Sequence, residues 1–221
     1  MIKISKKSDQ YPYFVKDLPN HPDSIYFSKL PEFNFQNNIV FIGSRNMSPY
    51  GRDVCKEIVG NLCVQKFTIV SGMAEGVDHY CHRLALTYGS STIGILGYGF
   101  NFLDSNSYKN RLTRSLAKDM LQNEQSNVVS PFEPSQFPTR ETFLERNKVL
   151  ASFAPTTVVI EAAERSGTFS TVSAAISLNR AVFAVPGSIF SYNSRGCHDI
   201  INEGAVLLKS VDDILNNLSK V

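Results

Sequence analysis

The chain has 221 residues, 43% of them hydrophobic, and a formal net charge of +2. This length and apolar content suit one α/β domain with a full core. The small net charge excludes a global field that would attract nucleic acid, so any such site has to be a local patch. The four cysteines form no Cys-x-x-Cys pair, which is typical of reduced thiols in a cytoplasmic protein. We expect no secretory signal and no membrane span.

Residues 1–38 differ from the rest of the chain because they hold four prolines and scattered aromatic residues. We predict that they form a small irregular N-terminal segment packed on the core, with one short strand near Ser24–Phe27. Residues 39–221 are predicted to form the main domain. In this part, runs of β-branched residues alternate with helical patterns, which indicates an α/β fold with a parallel sheet flanked by helices.

The predicted elements follow one another in regular alternation. The strands are expected at 39–42, 67–70, 92–96, 128–129, 157–161, 182–185 and 205–208. The helices are expected at 48–62, 77–88, 107–123, 143–153 and 168–179, followed by a short helix and one at 211–218.

Four of the predicted strands are followed by turns that contain glycine. These turns are Gly43-Ser44-Arg45, Ser71-Gly72-Met73-Ala74-Glu75-Gly76, Ser166-Gly167-Thr168 and Pro186-Gly187-Ser188. Parallel strands end at one edge of the sheet, where ligands of open α/β folds bind. Glycine turns leave backbone N–H groups free to approach an anion, and helix N-termini add partial positive charge. The sequence therefore predicts a ligand that carries phosphates.

Each motif also has a plainer interpretation. Gly43-Ser44-Arg45 is compatible with a simple turn and a surface arginine, and Ser166-Gly167-Thr168 with a capped turn. Arg146 and Asn147, which follow Phe143 on a predicted helix, either point toward the strand ends or lie on a solvated face. The 71–76 turn matches neither the dinucleotide fingerprint nor a Walker A loop.

A possible metal cluster lies at the start of the second predicted helix. Asp78, His79, Cys81 and His82 fall within one short stretch. Zinc needs three or four ligands in tetrahedral geometry, and only Cys197-His198 could complement this group. We therefore interpret these side chains as partly packed helix residues and predict no metal site. No nucleophile–base pair or acid pair is recognisable either, so we predict neither catalysis nor a cofactor.

Taken in order, the motifs resemble those of the DNA-processing protein A family (DprA, also called Smf). The resemblance runs from about residue 8 to residue 208. The matching segments are Tyr11-Pro12, Asp23-Ser24-Ile25-Tyr26, Gly43-Ser44-Arg45, Ser71 to Asp78, His82, Ala85-Leu86, Phe143 with Arg146-Asn147, Glu161-Ala162, Ser166-Gly167-Thr168, Phe183 to Gly187, and Gly204-Ala205.

Membership of that family implies an extended Rossmann-like domain that binds single-stranded DNA in a positive pocket at the strand-end edge. It also implies a homodimer and the recombinase RecA as a partner, with roles in protecting single strands during DNA uptake and recombination. The resemblance assigns the DNA-binding role to Gly43, Ser44, Arg45, Gly72, Met73, Ala74, Gly76, Arg146, Asn147, Ser166, Gly167 and Thr168. Tyr98, Phe100 and Phe102 are candidates for stacking on bases, with core packing as the alternative.

Three departures from the family pattern stand out. Asn106-Ser107-Tyr108 and Ser130-Pro131 replace the usual Tyr-Pro and Ser-Glu, and no C-terminal winged helix is expected because the chain ends at Val221. Two other functions stay open at this point. One is a nucleotide sensor or phosphoribohydrolase of the same superfamily, although no carboxylate follows Thr168 closely. The other is a structural subunit of a defence or recombination complex.

Overall fold

The computed structural model describes residues 1–32, 34–103 and 111–218. Within these residues, the strands are β1 (Ile2–Ser5), β2 (Ser24–Phe27), β3 (Asn38–Ile42), β4 (Thr68–Ser71), β5 (Thr92–Ile95), β6 (Asn127–Ser130), β7 (Thr156–Val159), β8 (Ala181–Ala184) and β9 (Val206–Leu207). The α-helices are α1 (Pro49–Val64), α2 (Val77–Thr87), α3 (Arg111–Gln122), α4 (Arg140–Ser152), α5 (Thr168–Ser177), α6 (Tyr192–Asn202) and α7 (Val211–Leu218).

These strands form one sheet in the order β1-β2-β6-β5-β4-β3-β7-β8-β9. The strands from β6 to β9 pair in parallel, so the predicted α/β class is confirmed. The N-terminal segment adds an antiparallel edge, because β1 pairs with β2 and β2 pairs with β6 in that direction. The predicted strand at Ser24–Phe27 is confirmed, whereas β1 was not predicted. A four-residue strand with one buried side chain leaves little hydrophobic pattern to detect.

The parallel sheet is covered on both faces, which explains why its strands are continuous apolar runs. In β3, Ile39 and Phe41 face a core shared with α1, α2 and α7, whereas Val40 and Ile42 face the core under α4, α5 and α6. Helix α3 covers β6, with Leu116 and Val128 in one core cluster. Among the described residues, no helix is both long and apolar enough to cross a bilayer.

Capping residues explain where two important helices begin. Ser48 accepts a hydrogen bond from the Gly51 N–H, and Pro49 opens α1 as predicted. Helix α4 begins at Arg140, earlier than predicted, because Thr139 and Thr142 form a reciprocal capping box. The predicted start of the third helix at 107 and the departure at Asn106-Ser107-Tyr108 lie outside the described residues.

Candidate functional site

The carboxyl ends of the central strands surround a cavity of about 680 Å³. It lies where the strand order reverses, since β3 has β4 on one side and β7 on the other. This is the position at which open α/β sheets bind ligands. The lining residues come from the turn after β3, the start of α2, helix α4 and the segment from β7 into α5.

The first two glycine turns are joined to one another. The Val77 N–H donates to the Ser44 carbonyl oxygen at 3.1 Å. Gly76 has φ +80°, and a Cβ at that position would lie 2.2 Å from the Ser44 carbonyl oxygen. Only glycine tolerates both the left-handed backbone and the close approach. The turn after β4 therefore holds the Gly43-Ser44-Arg45 turn in place.

The N-terminus of α5 presents an uncapped end to the cavity. Gly167 occupies the N-cap position and supplies no side-chain hydrogen bond. Ser166 lines the cavity, and its buried Oγ has no hydrogen-bond partner. A Cβ built on Gly167 would meet nothing within 4 Å, so the space above this residue is open. Asn147 supports the turn, because its Nδ2 donates to Ser170 Oγ at 2.8 Å and to the Gly167 carbonyl oxygen at 3.4 Å. An open helix N-terminus of this kind suits an anion.

Exposed arginines surround this open end. Arg45, Arg140 and Arg165 all line the cavity and are solvent-exposed. The Arg45 guanidinium lies 6.0 Å from the centre of the Phe143 ring. Arg165 has φ +56°, a left-handed conformation that costs a non-glycine residue about 1–2 kcal/mol. Such strain is concentrated at functional sites.

Sequence reasoning missed Arg140 and Arg165. Arg140 was missed because α4 was predicted to begin at Phe143. The adjacency of Arg165 to the Ser166-Gly167-Thr168 turn was the signal that could have identified it. Together with Arg45, these arginines give a nearly neutral protein a local positive patch.

Arg146 occupies a different position from the exposed arginines. Its side chain is buried, with 4% of the residue exposed, and its Nη1 donates to the carbonyl oxygens of Gly72 and Ile95. Burial lowers the pKa of Arg146 to about 10, and the nearby Asp78 carboxylate opposes that shift. Burial likewise raises the pKa of Asp78, and Arg146 opposes it. Arg146 therefore borders the cavity from below and ties the turn after β4 to β5.

The remaining predicted site residues lie at different depths. Gly72 packs closely on the Asp78–Arg146 pair, since a Cβ there would lie 2.7 Å from Asp78 Oδ2. Met73, with φ +59°, is buried in the core under α3. Ala74 lines the cavity, and its N–H donates to Asp78 Oδ2 at 3.3 Å. Thr168 lines the cavity as the first residue of α5.

The histidines of the second predicted helix are packed against neighbouring side chains, as we predicted for them. His82 is fully buried, with its Nδ1 2.6 Å from Thr92 Oγ1. His79 Nε2 accepts a hydrogen bond from Arg83 Nε at 3.3 Å. Across the described residues, no three His, Cys, Asp or Glu side chains come together as a metal site.

Comparison with known proteins places this architecture in a family. The sequence matches the family of DNA recombination-mediator protein A over residues 3–219. The chain belongs to that family. Its relatives include the DNA processing protein DprA of Streptococcus pneumoniae, 32% identical over 94% of this chain and 71% of the relative. The DprA of Bacillus subtilis is 30% identical over 98% of this chain and 70% of the relative.

Solved structures of the family agree with this fold. The DNA processing protein A of Streptococcus pneumoniae superposes with a TM-score of 0.83 and 30% identity, covering 97% of this chain and 73% of that one. The Helicobacter pylori protein, described for its unique single-stranded DNA binding mode, gives a TM-score of 0.81 at 22% identity, over 99% of this chain and 96% of that one. The predicted membership of the DprA/Smf family and the Rossmann-like fold are confirmed.

Proposed function

We propose that this protein binds single-stranded DNA and holds backbone phosphates in the cavity at the carboxyl edge of the sheet. The observation that carries the proposal is the convergence of Arg45, Arg140 and Arg165 on the open N-terminus of α5. Arginine forks pair with phosphate oxygens, and the positive end of the α5 helix dipole adds to this attraction. Arg146 and Asp78 act beneath this surface as positioning residues for the Gly72–Gly76 turn.

A single strand fits this site better than a duplex does. The cavity is recessed between separate turns, and a flexible strand can bend its phosphates into it. An exposed aromatic residue, Phe137, stands against Phe102 with ring centres 4.4 Å apart, and 68% of it is accessible for stacking on a base. Tyr98, by contrast, is 5% exposed and packs in the core. Stacking of bases on aromatic rings is a common feature of single-strand binding.

Assembly and partners form the finer part of the proposal. The protein acts as a homodimer in the cytoplasm, protects single strands and assists loading of the recombinase RecA during DNA uptake or recombination. Family membership supports these roles. The exposed apolar residues Ile189, Phe190 and Tyr192, just before and at the start of α6, support a protein–protein surface. All four cysteines are free and buried, as befits a reducing compartment.

The protein binds its ligand without chemical turnover. Asp78 is the carboxylate that lines the described part of the cavity, and it accepts a hydrogen bond from the Ala74 N–H while facing Arg146. The neighbouring Glu161 is 2% exposed and accepts hydrogen bonds from the Ser48 N–H, at 3.0 Å, and from the Ser48 hydroxyl. Neither carboxylate is free to activate a nucleophile, which disfavours the phosphoribohydrolase alternative.

The experiment that tests this function compares single-stranded DNA with duplex DNA of equal length and with a mononucleotide. We expect the affinity for oligo-dT to exceed that for a duplex of equal length, to rise with oligomer length and to fall steeply with salt. The same protein should release no adenine from AMP. Equal or stronger binding of the duplex would contradict the single-strand proposal. Adenine release that Thr168→Ala abolishes would favour a hydrolase instead.

A further inference from the structure

A second groove runs over the surface of α4 and α5, beside the arginine-lined cavity. Its volume is about 760 Å³. Helices α4 and α5 form one side, and the N-terminal segment and the Pro131-Phe132 loop after β6 form the other. The groove thus lies between parts of the chain that are far apart in sequence, and one of its walls includes Pro131, where the sequence departs from the family pattern.

The groove and the arginine-lined cavity are adjacent and share one lining residue. Ser170 lines both of them. Its hydroxyl donates to the Gly167 carbonyl oxygen at 2.8 Å and accepts from Asn147 Nδ2 at 2.8 Å. Because these bonds fix Ser170, the groove begins at a defined point beside the phosphate-binding end of α5. A strand held by its phosphate in the cavity therefore has a neighbouring recess for its next base.

The chemistry of the groove differs from that of the cavity. Its floor is apolar, formed by residues such as Leu18, Val149 and Leu178, and Phe132 and Pro131 supply flat apolar walls. The rim is polar and carries both signs of charge, through Asp17, Asn20, Glu145 and Lys148. This composition gives little attraction for phosphate. It matches a nucleobase, which has an apolar face and a polar edge, and the volume lies in the range of small-molecule sites.

We propose that this groove is a base-binding subsite for the single strand whose phosphate occupies the neighbouring cavity. The proposal rests on the proposed function. The carboxylates of Asp17 and Glu145 are hydrogen-bond acceptors at the rim. They favour a base with an exocyclic amino group (adenine, cytosine or guanine) over thymine, which offers no amino donor. Asp17 Oδ2 is engaged by Arg180 Nη2 at 2.6 Å, so Glu145 is the freer acceptor.

The test fills the groove and removes single bases from the ligand. Ser173→Phe places a large side chain at an exposed position that lines the groove, and Ile176→Phe is the matched control on the exposed side of α5 that lines neither recess. A short mixed-sequence oligonucleotide is scanned with one abasic position at a time. We expect one abasic position to weaken binding to the wild type by about tenfold, the scale of one stacked base. We expect Ser173→Phe to bind the intact strand about tenfold more weakly than the wild type does. On the strand with that abasic position, the variant and the wild type should bind equally.

Base preference provides the second arm. Wild-type protein should prefer a strand with adenine, cytosine or guanine at the sensitive position over thymine, and Glu145→Gln should reduce that preference while Glu141→Gln leaves it unchanged. The base subsite is overturned if Ser173→Phe binds the intact strand as tightly as the wild type does. It is also overturned if every abasic position weakens binding equally. If Ser173→Phe changes the sedimentation of the protein and leaves its DNA binding unchanged, the groove is a protein contact. This outcome also overturns the base subsite. If the wild type binds no single strand at all, the proposed function itself fails. If Arg45→Ala weakens binding and Ser173→Phe does not, only the subsite fails.

Discussion

Arg45 and Arg52 are both exposed arginines near the start of α1, yet they face different surroundings. Arg45 lines the cavity, whereas the Arg52 guanidinium lies 5.7 Å from the centre of the Tyr80 ring, on the outer surface of α1. Substituting each residue therefore compares the loss of a charge inside the site with the loss of a charge outside it.

Arg45→Ala should weaken binding to every single-strand sequence, because a phosphate contact carries no base information. Losing one contact should lower the slope of log affinity against log salt by about one. Titrations at several salt concentrations measure this, with Arg52→Ala as the control that should bind like the wild type. Wild-type affinity and slope in Arg45→Ala would place the phosphate site elsewhere.

Two glycines of the site, Gly72 and Gly167, differ in whether the fold leaves room for a side chain. At Gly72 a Cβ would lie 2.7 Å from Asp78 Oδ2 and 2.9 Å from Arg146 Cζ, so the fold itself excludes a side chain. At Gly167 the backbone has φ −60° and a Cβ would meet nothing within 4 Å, so the fold permits one. The open space at Gly167 leaves room for a ligand to approach the backbone.

Gly167→Ala should keep the thermal midpoint of the wild type while losing affinity for single-stranded DNA, because its methyl group occupies the space where a phosphate would approach α5. Gly72→Ala should instead lower the thermal midpoint, since its methyl group would displace the buried side chains of Asp78 and Arg146. Thermal unfolding and DNA titration of both variants test the distinction. A Gly167→Ala protein with full affinity would show that the strand does not approach this turn closely.

At the scale of the element, α2 carries a buried titratable group behind the site. His82 Nδ1 lies against Thr92 Oγ1, whose hydroxyl donates to the Ile69 carbonyl oxygen at 2.7 Å. The imidazole is thus buried among polar groups of β4 and β5, with Thr92 Oγ1 and the backbone of Ser71 beside it. Burial lowers the pKa of His82 to about 3 from 6.5. The folded protein keeps this imidazole neutral.

This shift predicts acid sensitivity. Between the two pKa values the unfolded state binds the proton and the folded state does not, so the free energy of unfolding falls as pH decreases from 6.5 toward 3. His82→Leu should make that decrease smaller by up to several kcal/mol, at about 1.4 kcal/mol for each pKa unit. Urea unfolding at about pH 7 and about pH 4.5 measures the change. The control is His21→Leu, at a partly exposed position. Equal pH dependence of the unfolding free energy in His82→Leu and the wild type would contradict a neutral, buried His82.

At the scale of the whole molecule, a cluster of exposed apolar residues follows the carboxyl end of β8, outside the lining of the phosphate cavity. Phe190 is 89% exposed, and Ile189 and Tyr192 beside it are exposed as well. Clustered exposed apolar residues mark contact surfaces in soluble proteins. They lie between β8 and the first turn of α6, whereas the phosphate cavity is lined from β3, α4 and α5.

Phe190→Glu should therefore dissociate the proposed homodimer, because it introduces a charge into an apolar contact, and it should leave the phosphate site intact in each monomer. Sedimentation velocity measures the mass and DNA titration the binding. Val64→Glu is the matched control, since Val64 is 66% exposed at the end of α1. A Phe190→Glu protein that sediments as the wild type does would place the subunit contact on another surface.

The sequence by itself determined the local features of this protein. Hydrophobic period and glycine turns predicted the parallel strands and their following helices, because both depend on neighbouring residues alone. The shared carboxyl edge of parallel strands then predicted that turns far apart in the chain would meet. The hydrogen-bonded turns at Ser44 and Gly76, and the open end of α5 at Gly167, lie together at that edge of the sheet.

The tertiary structure decided what depends on distance between elements. It buried Arg146 beneath the cavity and left Arg140 and Arg165 at its mouth, although all three are arginines near predicted motifs. It also added β1 to the sheet edge and brought the N-terminal segment against α4 and α5 to form a groove. The burial of a single arginine and the contacts across the sheet follow from strand order and packing, which a single sequence does not specify.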